Sequence, residues 1–346
     1  MGRMGRVGRF MERLGGNNRN ALHCKSIKYK FLWMIRETTM ANEQKTADLV
    51  VGVDGSQESF GALRWALTEA SLTGQKVNAV YGWTQSWDMG ERPQTDEEWE
   101  RLHKIISLEL DEWVAKASAG LDFDRSHLEK TSVHAAGSTA LLELGQNAQQ
   151  IVVGRRSLNR LARWFLGSIS DSLIDQATVP VTVVRGQHLQ PDQTKTQAHT
   201  HTQEAAGSPS ILVGIDGSSV SGRALKFAAS EAARTGCSLK VLYCWKMKNL
   251  GELSDRTHAI PSKEEAHDYA NKIVRDIIEA AHLPADLHVE GQAVHAEAVK
   301  GLTDGSATAR RLIVGSRGLT GLDAFVLGSV SKQLIDSSLC PLTIVH

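Results

Sequence analysis

The chain contains one pattern twice. "LVVGVDGS" at 49–56 returns as "ILVGIDGS" at 211–218, which makes Asp54 and Asp216 equivalent. "IVVGRRSLNRLARWFLGSISDSLID" at 151–175 returns as "LIVGSRGLTGLDAFVLGSVSKQLID" at 312–336, and "VPVTVV" at 179–184 as "CPLTIV" at 340–345. A separation held near 161 residues from end to end identifies a duplicated domain, not a recurring short motif. The 346 residues are also enough for two domains with separate cores.

Two stretches fall outside the repeat. "GQHLQPDQTKTQAHTHTQEAAGSPS" at 186–210 is rich in Gln, Thr, His and Pro and nearly free of large apolar groups. It cannot bury enough surface to order itself and reads as a flexible linker. Residues 1–40 hold nine basic side chains against Glu12 and Glu37. This head reads as disordered. Met40 stands just before the first strand, so an upstream start explains the head most simply, and a basic anchoring arm is the other reading. The expected domains are a head at 1–45, domain one at 46–185, a linker at 186–209 and domain two at 210–346.

Within each copy, short Val/Ile/Leu runs alternate with amphipathic stretches, the pattern of β-α-β units around a parallel sheet covered on both faces. Strands are expected at 48–54, 76–82, 129–135, 150–154 and 180–185, then at 210–216, 238–244, 286–293, 311–315 and 341–345. "SFGALRWALTEASLTG" at 59–74 puts Leu63, Ala66, Leu67 and Ala70 on one helical face and ends at a glycine. The expected fold is α/β: two tandem doubly wound, Rossmann-like domains, each a five-stranded parallel sheet in the order 3-2-1-4-5. The last strand of each sheet, 181–184 and 342–345, is an apolar open edge whose proline stands only at its start. The two edges are expected to pair antiparallel as a pseudo-dimer, with a further homodimer open.

Composition removes several functions. Lysine plus arginine equal aspartate plus glutamate at 39 each, so no net field draws the chain to nucleic acid or a membrane surface. No apolar run approaches the ~20 residues that span a bilayer. Cys24, Cys237, Cys244 and Cys340 form no C-x-x-C pair and no cluster with His at metal spacing. The expectation is a cytoplasmic protein without a metal site.

In doubly wound sheets ligands bind beyond the carboxyl ends of the strands where the order reverses, here strands 1 and 4. Both repeated motifs fall there. Gly315 and Gly318 lack a Cβ, so the backbone can bend tightly and bring N–H groups against an anion. Ser329 reads as the cap of a helix whose N-terminus attracts phosphate. Ser316, Ser329 and Ser331 add hydroxyl donors and Arg317 adds charge from the rim. Asp216 is an acceptor suited to ribose hydroxyls or an adenine amino group.

At these residues the chain resembles the universal stress protein family, whose ATP-binding members carry G-x2-G-x9-G-S/T after strand 4 and an Asp after strand 1. Copy two matches that spacing in full. The resemblance implies ATP, with Mg2+ accompanying it, held by Ile215, Asp216, Gly315, Gly318, Gly328, Ser329, Val330 and Ser331. It also implies Cys244 at the strand 2 position lining the adenine. The corresponding set in copy one is Val53, Asp54, Gly82, Gly154, Arg155, Gly167, Ser168, Ile169 and Ser170. There the second loop glycine is Ser157, whose Cβ narrows the loop, while Arg155, Arg156, Arg160 and Arg163 make it more basic. Copy one is expected to bind more weakly.

Singly, Asp-Gly after a strand is an ordinary Asx turn and Ser after Gly an ordinary cap; their joint placement at adjoining strand ends, twice, carries the argument. His134 and His295 read as packing or turn residues. Trp83 and Trp245 either wall the crevice or pack beneath the next loop, with packing preferred. The chain lacks a Walker A lysine loop and the other signatures of nucleotide enzymes, and no positioned base or nucleophile is evident. A nucleotide-responsive regulator with an unknown protein partner is the preferred reading. A slow ATPase, or a partner-binding module with a degenerate site in domain one, is the alternative.

Overall fold

The computed structural model describes residues 49–84, 93–155, 173–185, 209–247, 262–318 and 327–346. The head and the linker up to residue 208 lie outside the described residues. Copy one contributes β1 (Leu49–Gly52), α1 (Gln57–Thr73), β2 (Val77–Trp83), α2 (Asp96–Ser118), β3 (Leu128–His134), α3 (Gly137–Gly145), β4 (Gln150–Arg155) and β5 (Val181–Arg185). Copy two contributes β6 (Ser210–Ile215), α4 (Ser219–Thr235), β7 (Ser238–Trp245), α5 (Lys263–Ala281), β8 (Val289–His295), α6 (Ala298–Ser306), β9 (Arg311–Gly315), α7 (Ser329–Ser337) and β10 (Leu342–Val345).

The strands form one ten-stranded sheet in the order β3-β2-β1-β4-β5-β10-β9-β6-β7-β8. Each half is parallel and runs 3-2-1-4-5. The halves join where β5 meets β10 antiparallel, with Val181 opposite Ile344, Thr182 opposite Thr343 and Val183 opposite Leu342. Both seam strands are buried, whereas β3 and β8 at the outer edges expose Glu129, Lys130 and Glu290, charges that discourage further pairing.

Local chemistry sets the boundaries. Helix α1 starts two residues before the expected position, because Ser56 in extended conformation caps it by accepting from the Ser59 N–H. It ends on Gly74 at φ 70°, and Leu63, Ala66, Leu67 and Ala70 are buried as their spacing predicts. Strand β8 begins at Val289, three residues later than expected. The chain is still turning there, with His282 left-handed at the end of α5 and the Leu287 N–H donating to the Pro284 carbonyl.

Alternating strand residues feed opposite faces. On one face, α1 and α2 cover copy one and α4 and α5 cover copy two, forming separate cores. On the other face one core crosses the seam, joining Val181 and Val183 to Leu342, Ile344 and Leu334. Trp83 and Trp245 are buried, and His134 and His295 lie against them with ring centroids 4.4 Å apart in both copies, so these pairs are packing. No helix among the described residues is long and apolar enough to cross a membrane.

Candidate functional site

Strands β1 and β6 end in the same turn. Asp216 is followed by Gly217 at φ 83°, a left-handed position that favours glycine, and Gly55 repeats this at 79°. The Ser218 N–H donates to Asp216 Oδ1 at 2.9 Å, and the Ser56 N–H to Asp54 Oδ1 at 3.1 Å. One carboxylate oxygen therefore sets the turn, as in any Asx turn. In copy two the other oxygen faces the loop after β9. A Cβ on Gly318 would lie 2.5 Å from Asp216 Oδ2, so the strand 1 aspartate and the loop after β9 meet in one crevice.

The other glycines give space, not unusual backbone angles. A Cβ on Gly315 would stand 2.9 Å from Val220, and one on Gly154 only 2.2 Å from the Glu58 carbonyl oxygen. Both let the helix that follows strand 1, α4 or α1, start against the end of strand 4. Neither has positive φ, so the tight bend expected of Gly315 and Gly318 is not what requires glycine. The loop closes on itself: the Gly328 N–H donates to the Ser316 carbonyl at 2.8 Å, and the Ser316 N–H to the Val345 carbonyl at 2.7 Å.

Helix α7 is capped differently from the expectation. Gly328, extended at φ −63° and ψ 150°, is the cap, and Ser329 is already helical and exposed. Gly328 has no side chain to cap the first turn, so among the described residues α7 presents its N-terminal N–H groups and partial positive charge without a side-chain cap. Ser331 is likewise reassigned, since its hydroxyl donates to the Gly315 carbonyl at 2.7 Å and ties helix to strand. Val330 packs on the core that crosses the seam.

Charge gathers beside this helix start. Burial first and then the Arg317 guanidinium lower the Arg223 pKa. His346 is pushed down to about 4 by burial first and then by Arg317 and Arg223, with the Asp175 carboxylate acting the other way. Arg223 Nε donates to the His346 carbonyl at 2.7 Å. Asp175, from copy one, accepts from the Leu327 N–H at 3.1 Å, so the residue before the cap is anchored by the other repeat. Tyr243 is buried near Asp216. Its phenol is pushed up by burial first and then by that carboxylate. Sequence reasoning missed Arg223, His346, Asp175 and Tyr243. The tyrosine left a signal through its equivalent Tyr81, and Asp175 through its equivalent Asp336 at the end of the repeated segment.

The remaining expected residues divide. Ile215 ends β6 and Val53 follows β1, and both are buried. The Cys244 thiol is turned onto α6, where a Cβ on Gly301 would come within 2.6 Å of it, and burial pushes its pKa up to about 11. Gly82 packs against α3, with Gly137 Cα 2.7 Å from an added Cβ. Arg155 departs from the expectation: its guanidinium crosses the seam to the Ile335 carbonyl at 2.5 Å and to the Asp336 carboxylate. Its charge is therefore held by copy two and not by copy one's crevice. Asp54 is exposed, and Trp113 covers the neighbouring Gly55, with ring carbon Cζ2 2.7 Å from an added Cβ; no described residue comes within 4 Å of a Cβ at Gly217. Gly167, Ser168, Ile169, Ser170 and Ser157 lie outside the described residues. Among the described residues no group of three His, Cys, Asp or Glu is placed to hold a metal ion.

Comparison with known proteins places these features in context. The model of the universal stress protein family matches residues 47–185 and 208–346, one match per repeat. A universal stress protein of Mycolicibacterium smegmatis is 29% identical over 305 residues, covering 86% of this chain and 96% of that protein. One from Mycobacterium tuberculosis strain H37Rv is 29% identical over 313 residues, covering 89% and 99%. Among solved structures, a universal stress protein from Archaeoglobus fulgidus superposes with a TM-score of 0.56 at 17% identity, over 87% of this chain and 98% of that one.

Proposed function

Because the chain belongs to the universal stress protein family, we propose that it is a nucleotide-responsive regulator whose second repeat holds ATP between Asp216 and the loop after β9. The observation that carries this reading is the closeness of Gly318 to Asp216, where a Cβ would come within 2.5 Å of Oδ2. A loop that needs glycine against a carboxylate, next to a helix start without a side-chain cap, offers an acceptor for a nucleoside and donors for phosphates. Arg317 and Arg223 add positive charge beside that helix start, and Mg2+ would accompany the polyphosphate. Occupancy would order the loop and alter the surface offered to a protein partner. Copy one, with Arg155 held across the seam and Trp113 over Gly55, is the weaker site.

Gly318→Ala and Asp216→Ala are each expected to weaken ATP binding about tenfold or more, the loss of roughly 1.4 kcal/mol, read by calorimetry. Unchanged affinity in both variants would refute the site. Mass spectrometry of the purified protein should reveal co-purifying adenine nucleotide.

A further inference from the structure

The seam between the repeats encloses a polar cluster in which equivalent positions carry different residues. Glu69 and Glu231 are equivalent, as are Thr182 and Thr343, and Trp65 and Phe227. Opposing them, copy one has Gln149 and Gln150 where copy two has Arg310 and Arg311. Arg311 is 2% exposed. Its guanidinium donates to Glu231 at 2.6 Å, to Thr343 at 2.6 Å, to Thr182 at 3.0 Å and to the Gln150 side-chain carbonyl. It lies between the Trp65 and Phe227 rings, at 5.1 and 5.6 Å from their centroids. Arg310 crosses the seam to Glu69 at 2.5 Å, and Gln149 crosses it the other way to Glu231 at 2.9 Å. At the rim Arg234, whose equivalent is Leu72, also meets Glu231 and Gln149.

Any like-with-like pairing through the same strands would change the charge count. Two copies of repeat two would bring six arginines against two glutamates, with a second Arg311 where the Gln150 acceptor now stands. Two copies of repeat one would bury two Glu69 carboxylates against amides and hydroxyls, with no cation. Uncompensated buried charge is far more costly than the net gain from a buried pair, so the penalty falls on the wrong partner. We propose that the divergence of Gln149 and Gln150 from Arg310 and Arg311 is a pairing code. It makes the strand 5 face of each repeat complementary to the other repeat and not to a second copy of itself.

The test uses three full-length variants: Arg310→Gln with Arg311→Gln, Gln149→Arg with Gln150→Arg, and all four changes together. Each paired variant should unfold roughly 5–15 °C lower than the parent. The fourfold exchange places an arginine pair opposite the same glutamate, threonine and aromatic types and should return to within a few degrees. Mixing the two paired variants should give a species of twice the 37.7 kDa chain mass by light scattering, which neither forms alone. Unchanged melting in both paired variants, additive losses in the exchange, or a mixture without the two-chain species would each overturn the code. Should a paired variant fail to fold, the fourfold exchange decides alone, because a merely local packing role would leave it as damaged as its parts.

Discussion

His346 shows what a residue acquires from its neighbours. Its imidazole is pushed down to about 4 by burial and the two guanidinium groups, so it is neutral at pH 7. In the unfolded chain the same ring protonates near 6.5, and folding below that pH must shed the proton. Its contribution is therefore complete above pH 6.5 and is lost as the pH falls toward 4, with a slope of at most about 1.4 kcal/mol per unit. His346→Gln should flatten that part of the stability curve in urea titrations between pH 4 and 7; an unaltered slope would assign it to other groups. Asp216 and Gly328 are legible in the sequence because they recur as Asp54 and Gly167, and Gly318 because copy two matches the family spacing in full. Arg223 and His346 are not, and Asp175 recurs as Asp336 without showing its role, since a helix, a strand end and the opposite repeat are brought together only by the fold.

Elements were read more surely than their ends. Every described strand overlaps its expected span, because apolar runs and turn residues are local signals. A serine after glycine predicts Ser329 as the cap of α7, but Gly328, one residue earlier, already carries the extended backbone. Ser218 and Ser329 make the contrast testable. Ser218 Oγ accepts from the Ser221 N–H at 3.1 Å and caps α4, so Ser218→Ala should cost about 1 kcal/mol in a denaturant midpoint. Ser329 does not cap α7, and Ser329→Ala should leave stability within about 0.5 kcal/mol of the parent. Equal losses would mean that the capping assignment is wrong.

At the scale of the molecule, the duplication was written in the sequence, but the meaning of Gln149, Gln150, Arg310 and Arg311 was not, because each reads as a polar residue until its opposite number is known. The core that crosses the seam also ties the halves together. Heating should therefore give one cooperative transition with equal calorimetric and van't Hoff enthalpies, and two separated transitions would show that the halves melt independently. The antiparallel seam has one more effect. Strands within each half run together, but β5 and β10 run against each other, so the strand ends that frame the two crevices point toward opposite rims of the sheet. The molecule has a front and a back that are not interchangeable. A rigid body covering one rim would leave the other open, and a chain fixed to a surface by one rim would show the solvent either the crevice at Asp216 or the one at Asp54, never both.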